Sequence, residues 1–210
     1  MQGGSHAIFF NHGQCCTAGS WLFIEKKIFD KVVEGIAERV SRIRVGAGMN
    51  SDTEMGPLVS EEQLTRVCGY LDSGYAEGAR SLAGGKKLDS SRGYFVQSTV
   101  LVDTRPDMKI VREEIFGPVV VATPFTDPEE VLTAANQSIY GLADAVWTRD
   151  VSKAHKFAAR LKAGTVWINC YDVFDAAPSF GGNKQSGWGR EMGREVFNLY
   201  TETKSVCLAL

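Results

Sequence analysis

The chain has 210 residues, 44% of them hydrophobic and 23% charged, and a formal net charge of −2, which is typical of a globular protein. This balance predicts no nucleic-acid partner, and no apolar run reaches the ~20 residues that a membrane span needs. Residues 1–6 lack the basic and apolar regions of a signal peptide, and the five cysteines show no C-x-x-C spacing. We therefore expect a reducing, cytoplasmic location, no disulfide framework and no metal site.

A loop with two adjacent cysteines follows the first predicted helix, which ends near Phe10. Cys15 and Cys16 stand between Gly-Gln and Thr-Ala-Gly, a composition that allows a sharp bend and brings backbone N–H groups close to a bound oxygen. A thiolate attacks carbonyl carbon well, and an ordinary cysteine pKa of about 8.5 lies within reach of modest tuning. We predict that one of the two sulfurs is a nucleophile.

Strand and helix signals then alternate along the chain. In order, they predict a strand over 21–24, a helix over 28–43, a helix from Ser60 to near Gly78, strands over 95–102 and 119–122, a helix from Asp127, a strand over 143–148, a helix from Asp150 to Gly164 and a strand over 165–168. Ser60 and Gln63 have the spacing of a capping box. The alternation from residue 119 onward predicts an α/β fold with these three strands in one parallel sheet. Residues 201–210 alternate enough to form a last strand.

Two further segments carry candidate chemistry. The sequence E-E-I-F-G-P at 113–118 combines acid, aromatic and turn residues. It fits either a solvated acidic turn or a carboxylate held against ligand hydroxyls beside an apolar surface. Phe174 and Phe180 follow the strand over 165–168, at the edge where open α/β sheets bind ligands. The glycine-rich stretch 187–193 is one residue too long for a dinucleotide fingerprint.

Taken together, these segments resemble the NAD(P)-dependent aldehyde dehydrogenase superfamily. The resemblance rests on F-N-H-G-Q-C-C at 10–16, E-E-I-F-G-P at 113–118, G-T-V-W-I-N at 164–169 and F-G-G-N-K-Q-S-G at 180–187, in the family's order and spacing. It implies an open parallel-sheet catalytic domain over residues 1–200 and a C-terminal strand over 201–210 through which homo-oligomers form.

The resemblance also implies a mechanism. Cys16 is then the nucleophile and Cys15 its non-catalytic neighbour. The sulfur adds to a small-molecule aldehyde to give a thiohemiacetal, hydride passes to NAD or NADP, and water hydrolyses the resulting thioester to release a carboxylate. The other implied site residues are Glu114, Phe116, Gln63 and Arg66 for the cofactor, and Phe174 and Phe180 at the aldehyde entrance.

One departure from the family pattern is large. In the family, the cofactor-binding domain, a general-base glutamate and an oxyanion-hole asparagine all precede the cysteine, whereas fifteen residues precede Cys16 here. We therefore expect a catalytic half that binds the cofactor mainly through a domain absent from this chain, and that does not catalyse the reaction by itself. Two alternatives are a cysteine hydrolase using Cys16 with His12, and a non-enzymatic association module.

Overall fold

The structure is a computed structural model that describes residues 2–89 and 93–210. Contacts between Cα atoms divide the chain into two compact units, Met1–Ala134 and Ala135–Leu210. Within the described residues, no helix is both long enough and apolar enough to cross a bilayer.

The first unit is built on a four-stranded sheet. Its strands in chain order are β1 (Trp21–Glu25), β2 (Arg80–Ala83), β3 (Thr99–Val102) and β4 (Val119–Phe125), and their spatial order is β1-β4-β3-β2. Strand β4 runs parallel to both β1 and β3, whereas β2 is antiparallel to β3 and has an irregular register between Ser81 and Ala83. The predicted strand over 95–102 is shorter in the structure because only its last four residues join the ladder.

The helices of this unit cover both faces of the sheet. They are α1 (Gln2–Phe9), α2 (Phe29–Val40), α3 (Glu61–Ala76) and the short α4 (Lys109–Arg112). Helix α5 (Pro128–Gln137) follows β4 in the chain. Alternate residues of β4 explain the arrangement, because Val119 and Val121 pack under α3 while Val120 packs against α1 and α2. The continuous apolar run of β4 is thus buried on both faces, as predicted.

The predicted helix boundaries are mostly confirmed. Helix α2 buries Val33, Ile36, Ala37 and Val40 at helical spacing but ends three residues before the predicted limit. Helix α3 begins where expected, because the Ser60 hydroxyl accepts a hydrogen bond from the Gln63 N–H at 3.1 Å.

The second unit contains a parallel pair of strands, β5 (Ala143–Val146) and β6 (Thr165–Ile168), connected through helix α6 (Val151–Ala158). Asp150 caps α6 by accepting a hydrogen bond from the Lys153 N–H at 3.0 Å, as predicted, but the helix ends at Ala158, well before the predicted limit at Gly164. The prediction of one sheet through β4, β5 and β6 is wrong, since the described strands form a four-stranded and a two-stranded sheet. Both edges of β4 are already paired with β1 and β3, so no free edge remains for β5.

The C-terminal strand expected over 201–210 is not formed in this chain. The last helix, α7 (Phe197–Tyr200), is followed by ten exposed residues without assigned secondary structure. Their apolar side chains alternate at Val206, Leu208 and Leu210 and are 80% exposed or more. A strand requires a hydrogen-bonding neighbour along its edge, and this segment pairs with no strand in the part of the chain that the structure describes. The predicted domain boundary after residue 200 stays a prediction.

Candidate active site

The cysteine loop, defined here as residues 10–19, begins with an unusual backbone turn. Asn11, His12 and Gly13 have consecutive φ values of 48°, 61° and 64°, all in the left-handed region. Asn and Gly adopt this region more readily than other residues, so Asn11 and Gly13 support the conformation imposed on His12. The Asn11 amide also donates to the Gln14 carbonyl at 2.9 Å. The loop therefore leaves α1 in a fixed reversal that presents the two cysteines.

The two cysteines of this loop differ in exposure. Cys15 is half-buried, with its sulfur 3.2 Å from the Thr17 hydroxyl, while Cys16 is exposed. Partial burial of the sulfur raises the pKa of the Cys16 thiol above its ordinary value, and Cys15 raises it further. The backbone N–H groups of Cys16 and Thr17 oppose this effect because they favour the thiolate. At neutral pH the thiol is accordingly protonated, and its use as a nucleophile requires a proton acceptor.

The histidine of the alternative hydrolase mechanism points elsewhere. The Nε2 atom of His12 lies against Gly56, 3.1 Å from the position that a Cβ would take there. Among the described groups that shift the pKa of Cys16, there is no imidazole. His155 is exposed on α6, as predicted. The geometry therefore gives no support to a Cys16–His12 pair.

The second candidate segment, residues 113–118, forms a turn that we call the glutamate turn. Phe116 has a φ of 58°, and the side chains of α3 hold the backbone on either side of it. The Gln63 amide donates to the Phe116 carbonyl at 2.6 Å, and the Arg66 guanidinium donates to the Glu114 carbonyl at 2.5 Å. The capping box is thus only half formed, because the Gln63 side chain binds the glutamate turn and not the helix terminus.

The two glutamates of this turn have different surroundings. Glu113 accepts a hydrogen bond from the Tyr70 hydroxyl at 2.9 Å and lies 4.0 Å from the Lys109 ammonium. Glu114 is exposed and has its backbone carbonyl held by Arg66. The structure therefore uses one carboxylate to anchor the turn and presents the other to solvent. Phe116 beside it is half-buried.

The cysteine loop and the glutamate turn contact each other directly. A Cβ built on Gly13 would lie 2.1 Å from the Gly117 carbonyl oxygen and 2.5 Å from its carbon. Only glycine permits this approach, both because of the space and because of the left-handed φ. The fold thus brings together two segments that are about a hundred residues apart in the sequence. Within the described residues, no cluster of three or more His, Cys, Asp or Glu side chains is suited to a metal ion.

The predicted substrate residues belong to the second unit, where four aromatic side chains form a cluster. Trp167 contacts Tyr171 and Phe174 with ring centroids 4.9 Å and 5.5 Å apart, and Phe174 contacts Phe180 edge to face at 5.3 Å. Phe174 remains 48% exposed. The structure therefore brings Phe174 and Phe180 together, and it adds two aromatic residues that the sequence did not single out.

Sequence reasoning also missed Gln14 and Tyr70. The Gln14 carboxamide oxygen accepts a hydrogen bond from the Val59 N–H at 3.1 Å, just before α3. Tyr70 lies in the predicted helix and has the arginine and lysine side chains of Arg66 and Lys109 over its ring. Helical spacing predicts that Tyr70 lies one turn from Arg66. The contact of Tyr70 with Glu113 joins distant parts of the sequence, so no local pattern predicts it.

Fold and site together define a class of protein, an α/β protein in which a loop with an exposed thiol packs against a turn with an exposed carboxylate. A profile of the aldehyde dehydrogenase family matches residues 1–206. The chain belongs to the aldehyde dehydrogenase family, which confirms the resemblance seen in the sequence.

Individual relatives agree with this assignment. The Bacillus subtilis (strain 168) relative DhaS is 50% identical over 210 residues, and the mitochondrial aldehyde dehydrogenase of Homo sapiens is 49% identical over 200 residues, or 95% of this chain. These matches cover 42% and 38% of the two relatives, so the chain spans less than half of their length.

Solved structures show the same relation. An NAD+ complex of an aldehyde dehydrogenase from Bacillus cereus matches 98% of this chain and 42% of its own, with a TM-score of 0.94 and 50% identity. An NAD+ complex of betaine aldehyde dehydrogenase from Staphylococcus aureus matches 95% of this chain and 40% of its own, with a TM-score of 0.91 and 42% identity. The mixed α/β fold with its parallel-sheet core is therefore that of the family.

Proposed function

We propose that this chain supplies the nucleophile and part of the cofactor site for oxidation of an aldehyde to a carboxylate by NAD(P). The observation that carries the proposal is the contact of Gly13 with Gly117, because it joins the loop of Cys16 to the turn of Glu114. Family membership supports the reaction class, and the NAD+ complexes of two structural neighbours support the cofactor.

In the proposed reaction, the Cys16 sulfur attacks the aldehyde carbon. The oxygen becomes an oxyanion, and the backbone N–H of Cys16 is placed to stabilise it. The raised pKa of Cys16 means that a base must first take the thiol proton. No carboxylate or imidazole is among the described groups that shift the pKa of this thiol, and we assign the base to the part of the relatives' length that these 210 residues do not cover. By themselves, these 210 residues should carry out thiol chemistry without aldehyde oxidation.

The glutamate turn contributes two side chains to the proposed cofactor site. Glu114 offers an exposed carboxylate that can accept hydrogen bonds from ribose hydroxyls, and Phe116 offers an aromatic face beside it. When bound there, NAD(P) supplies the hydride acceptor. The residues present fit this role because the backbone that carries both side chains is fixed by Gln63 and Arg66. Direct contact of Gln63 and Arg66 with the cofactor stays a prediction. Arg66 has further N–H donors that could make such a contact.

The second unit has two proposed roles. The edge-to-face pair of Phe174 and Phe180 forms an aromatic wall of the aldehyde entrance. The exposed, alternating segment 201–210 adds a strand to the sheet of a second copy in a homo-oligomer. A cytoplasmic location also remains a proposal, consistent with five free thiols.

A chimera tests the proposed function. Residues 1–210 replace the matched segment of the Bacillus subtilis relative, and aldehyde-dependent NADH formation is measured by absorbance. We expect Cys16→Ser to reduce turnover by at least ~1000-fold, since it removes the nucleophile. Glu114→Gln should raise the KM for NAD(P) about tenfold, because a charged hydrogen bond contributes roughly 1.5 kcal/mol or more.

The matched control is Glu113→Gln, whose amide oxygen still accepts the hydrogen bond from Tyr70, so the turn stays anchored and that KM should stay within about twofold. An active Cys16→Ser chimera would refute the assignment of the nucleophile. The isolated chain provides the second measurement, and robust aldehyde-dependent NADH formation by residues 1–210 would refute the external base.

A further inference from the structure

Three polar side chains connect the start of α3 with the two site segments. Gln14 of the cysteine loop accepts a hydrogen bond from the Val59 N–H, at the residue before the helix cap. Gln63 on the first turn of α3 donates to the carbonyls of Phe116 at 2.6 Å and Ile115 at 3.3 Å. Arg66, one turn later, donates to the carbonyls of Glu114 and Ile115 at 2.5 Å and 3.4 Å.

These hydrogen bonds hold a backbone segment that belongs to no helix or strand. The glutamate turn lies between α4 and β4, and Phe116 within it has a left-handed φ that a phenylalanine rarely adopts. Side-chain donors on successive carbonyls hold this conformation from outside. In the cysteine loop the sole long-range bond of Gln14 among the described contacts runs to the same helix end. The start of α3, together with the residue that precedes its cap, thus contacts both segments.

The cysteine loop and the glutamate turn also contact each other, in addition to their bonds to the start of α3. Gly13 lies against the Gly117 carbonyl, and Val67 of α3 packs on the other side of Gly117, 2.5 Å from the position of a Cβ there. Val67 is fully buried, so this side has no room to yield. A shift of the glutamate turn must therefore push or release Gly13, which is three residues from Cys16.

We propose that Gln14, Gln63 and Arg66 are positioning residues that tie the cysteine loop and the glutamate turn to the start of α3. The helix then sets the separation between the nucleophile and the ribose-binding carboxylate. The catalytic role of this separation rests on the proposed function. The coupling of the two segments through their contacts does not depend on that function. The side chains act through the backbone of residues 114–116 and through Gly13, without touching the reacting atoms.

The test uses the 210-residue chain and the reactivity of its thiols. Cys16 alkylation by iodoacetamide is followed by peptide mass spectrometry across a pH series, with Cys207 as internal reference because it lies in the exposed C-terminal segment. Gln63→Met keeps the shape of the side chain and removes its donors. Loosening the turn frees Gly13 and relieves the partial burial of the Cys16 sulfur. We expect the alkylation rate of Cys16 to rise at least about threefold and its pH midpoint to fall, since placements within ~1 Å govern reactivity.

Hydrogen exchange provides a readout that follows the coupling directly. In Gln63→Met, amides of residues 10–19 should exchange faster although the substitution lies in another part of the sequence. Arg66→Met should have a similar effect, and Arg66→Lys, which retains a cationic donor, should restore values close to those of the parent chain. Leu71→Val is the matched control, because it weakens the core under the same helix without touching the donors.

The outcomes separate this inference from the proposed function. If Gln63→Met leaves Cys16 alkylation, its pH midpoint and the exchange of residues 10–19 unchanged, the proposed coupling between the two segments is refuted. If Leu71→Val produces the same changes, general loosening explains them and the proposed coupling is also refuted. If the Cys16→Ser chimera stays active, the proposed function fails, while faster exchange of residues 10–19 in Gln63→Met still supports the proposed coupling between the two segments.

Discussion

The cysteine loop and the glutamate turn reach a fixed shape in opposite ways. The loop is shaped from within, by three consecutive left-handed residues and by short hydrogen bonds such as that between Asn11 and Gln14. The turn is shaped from outside, by donors on α3 that bind successive carbonyls. The two segments should therefore respond differently to substitution. One change at the close backbone contact should cost much stability, whereas losing one of several side-chain hydrogen bonds should cost little.

The largest expected effect is that of Gly13→Ala. The new Cβ would meet the Gly117 carbonyl oxygen at 2.1 Å, and backbone atoms cannot move aside as a side chain can. Adding the cost of a left-handed alanine, we expect the free energy of unfolding to fall by at least about 3 kcal/mol. Urea denaturation of the purified chain measures it.

The control for Gly13→Ala is Gly48→Ala. Gly48 has open space around its Cβ position and no positive φ, so this change should alter stability by no more than about 0.5 kcal/mol. Equal effects of the two substitutions would contradict the claim that the loop depends on one close backbone approach.

The second prediction concerns Gly117, the residue of the glutamate turn that contacts Gly13. In Gly117→Ala, the new Cβ meets a methyl group of Val67 at 2.5 Å, not backbone, and φ is not positive. We expect a smaller loss of about 1–3 kcal/mol by overpacking. Combining it with Val67→Ala should recover part of the loss, because the second substitution creates the space that the first requires. Strict additivity in the double mutant would show that the two groups do not compete for space.

The third prediction concerns the bond that anchors the turn through its first glutamate. Tyr70→Phe removes the hydroxyl that donates to Glu113 at 2.9 Å and keeps the ring that Arg66 and Lys109 flank. The expected loss is about 0.5–1.5 kcal/mol, the usual net value of one hydrogen bond. A double-mutant cycle with Glu113→Ala measures the pair, because alanine has no oxygen to accept the bond, and a coupling energy near zero would show that this bond does not anchor the turn.

The same contrast explains how much of the fold the sequence predicts. Local patterns suffice for β4, whose apolar run is buried on both faces, and for the starts of α3 and α6, which Ser60 and Asp150 cap. Strand pairing depends on which edges are free, and the alternation of strand and helix does not reveal that β1 and β3 take both edges of β4. The order of elements was therefore predictable and the sheet composition was not.

The candidate site divides in a similar way. Residue types and motif spacing predict Cys16 and Glu114, because thiol and carboxylate chemistry is visible in the sequence itself. The role of Gln63 required coordinates, since the same glutamine fits a capping box equally well. Contacts such as Gly13 with Gly117 join segments whose separation in the sequence leaves no periodic trace.

The smallest expected effect is a pH dependence in the cysteine loop. Burial is the main reason that the pKa of Cys16 lies above its ordinary value, so the folded chain holds the thiol proton more tightly than the unfolded chain does. The stabilisation from this thiol is therefore present below its ordinary pKa and is lost as the pH rises from there through the raised value. Iodoacetamide labelling of Cys16 should accordingly show a higher pH midpoint in the folded chain than in the chain unfolded in urea. Since the backbone N–H groups of Cys16 and Thr17 favour the thiolate, a folded midpoint below the unfolded one would mean that these donors outweigh burial. In that case the loop itself favours the thiolate, and the argument for an outside base from a raised pKa is refuted.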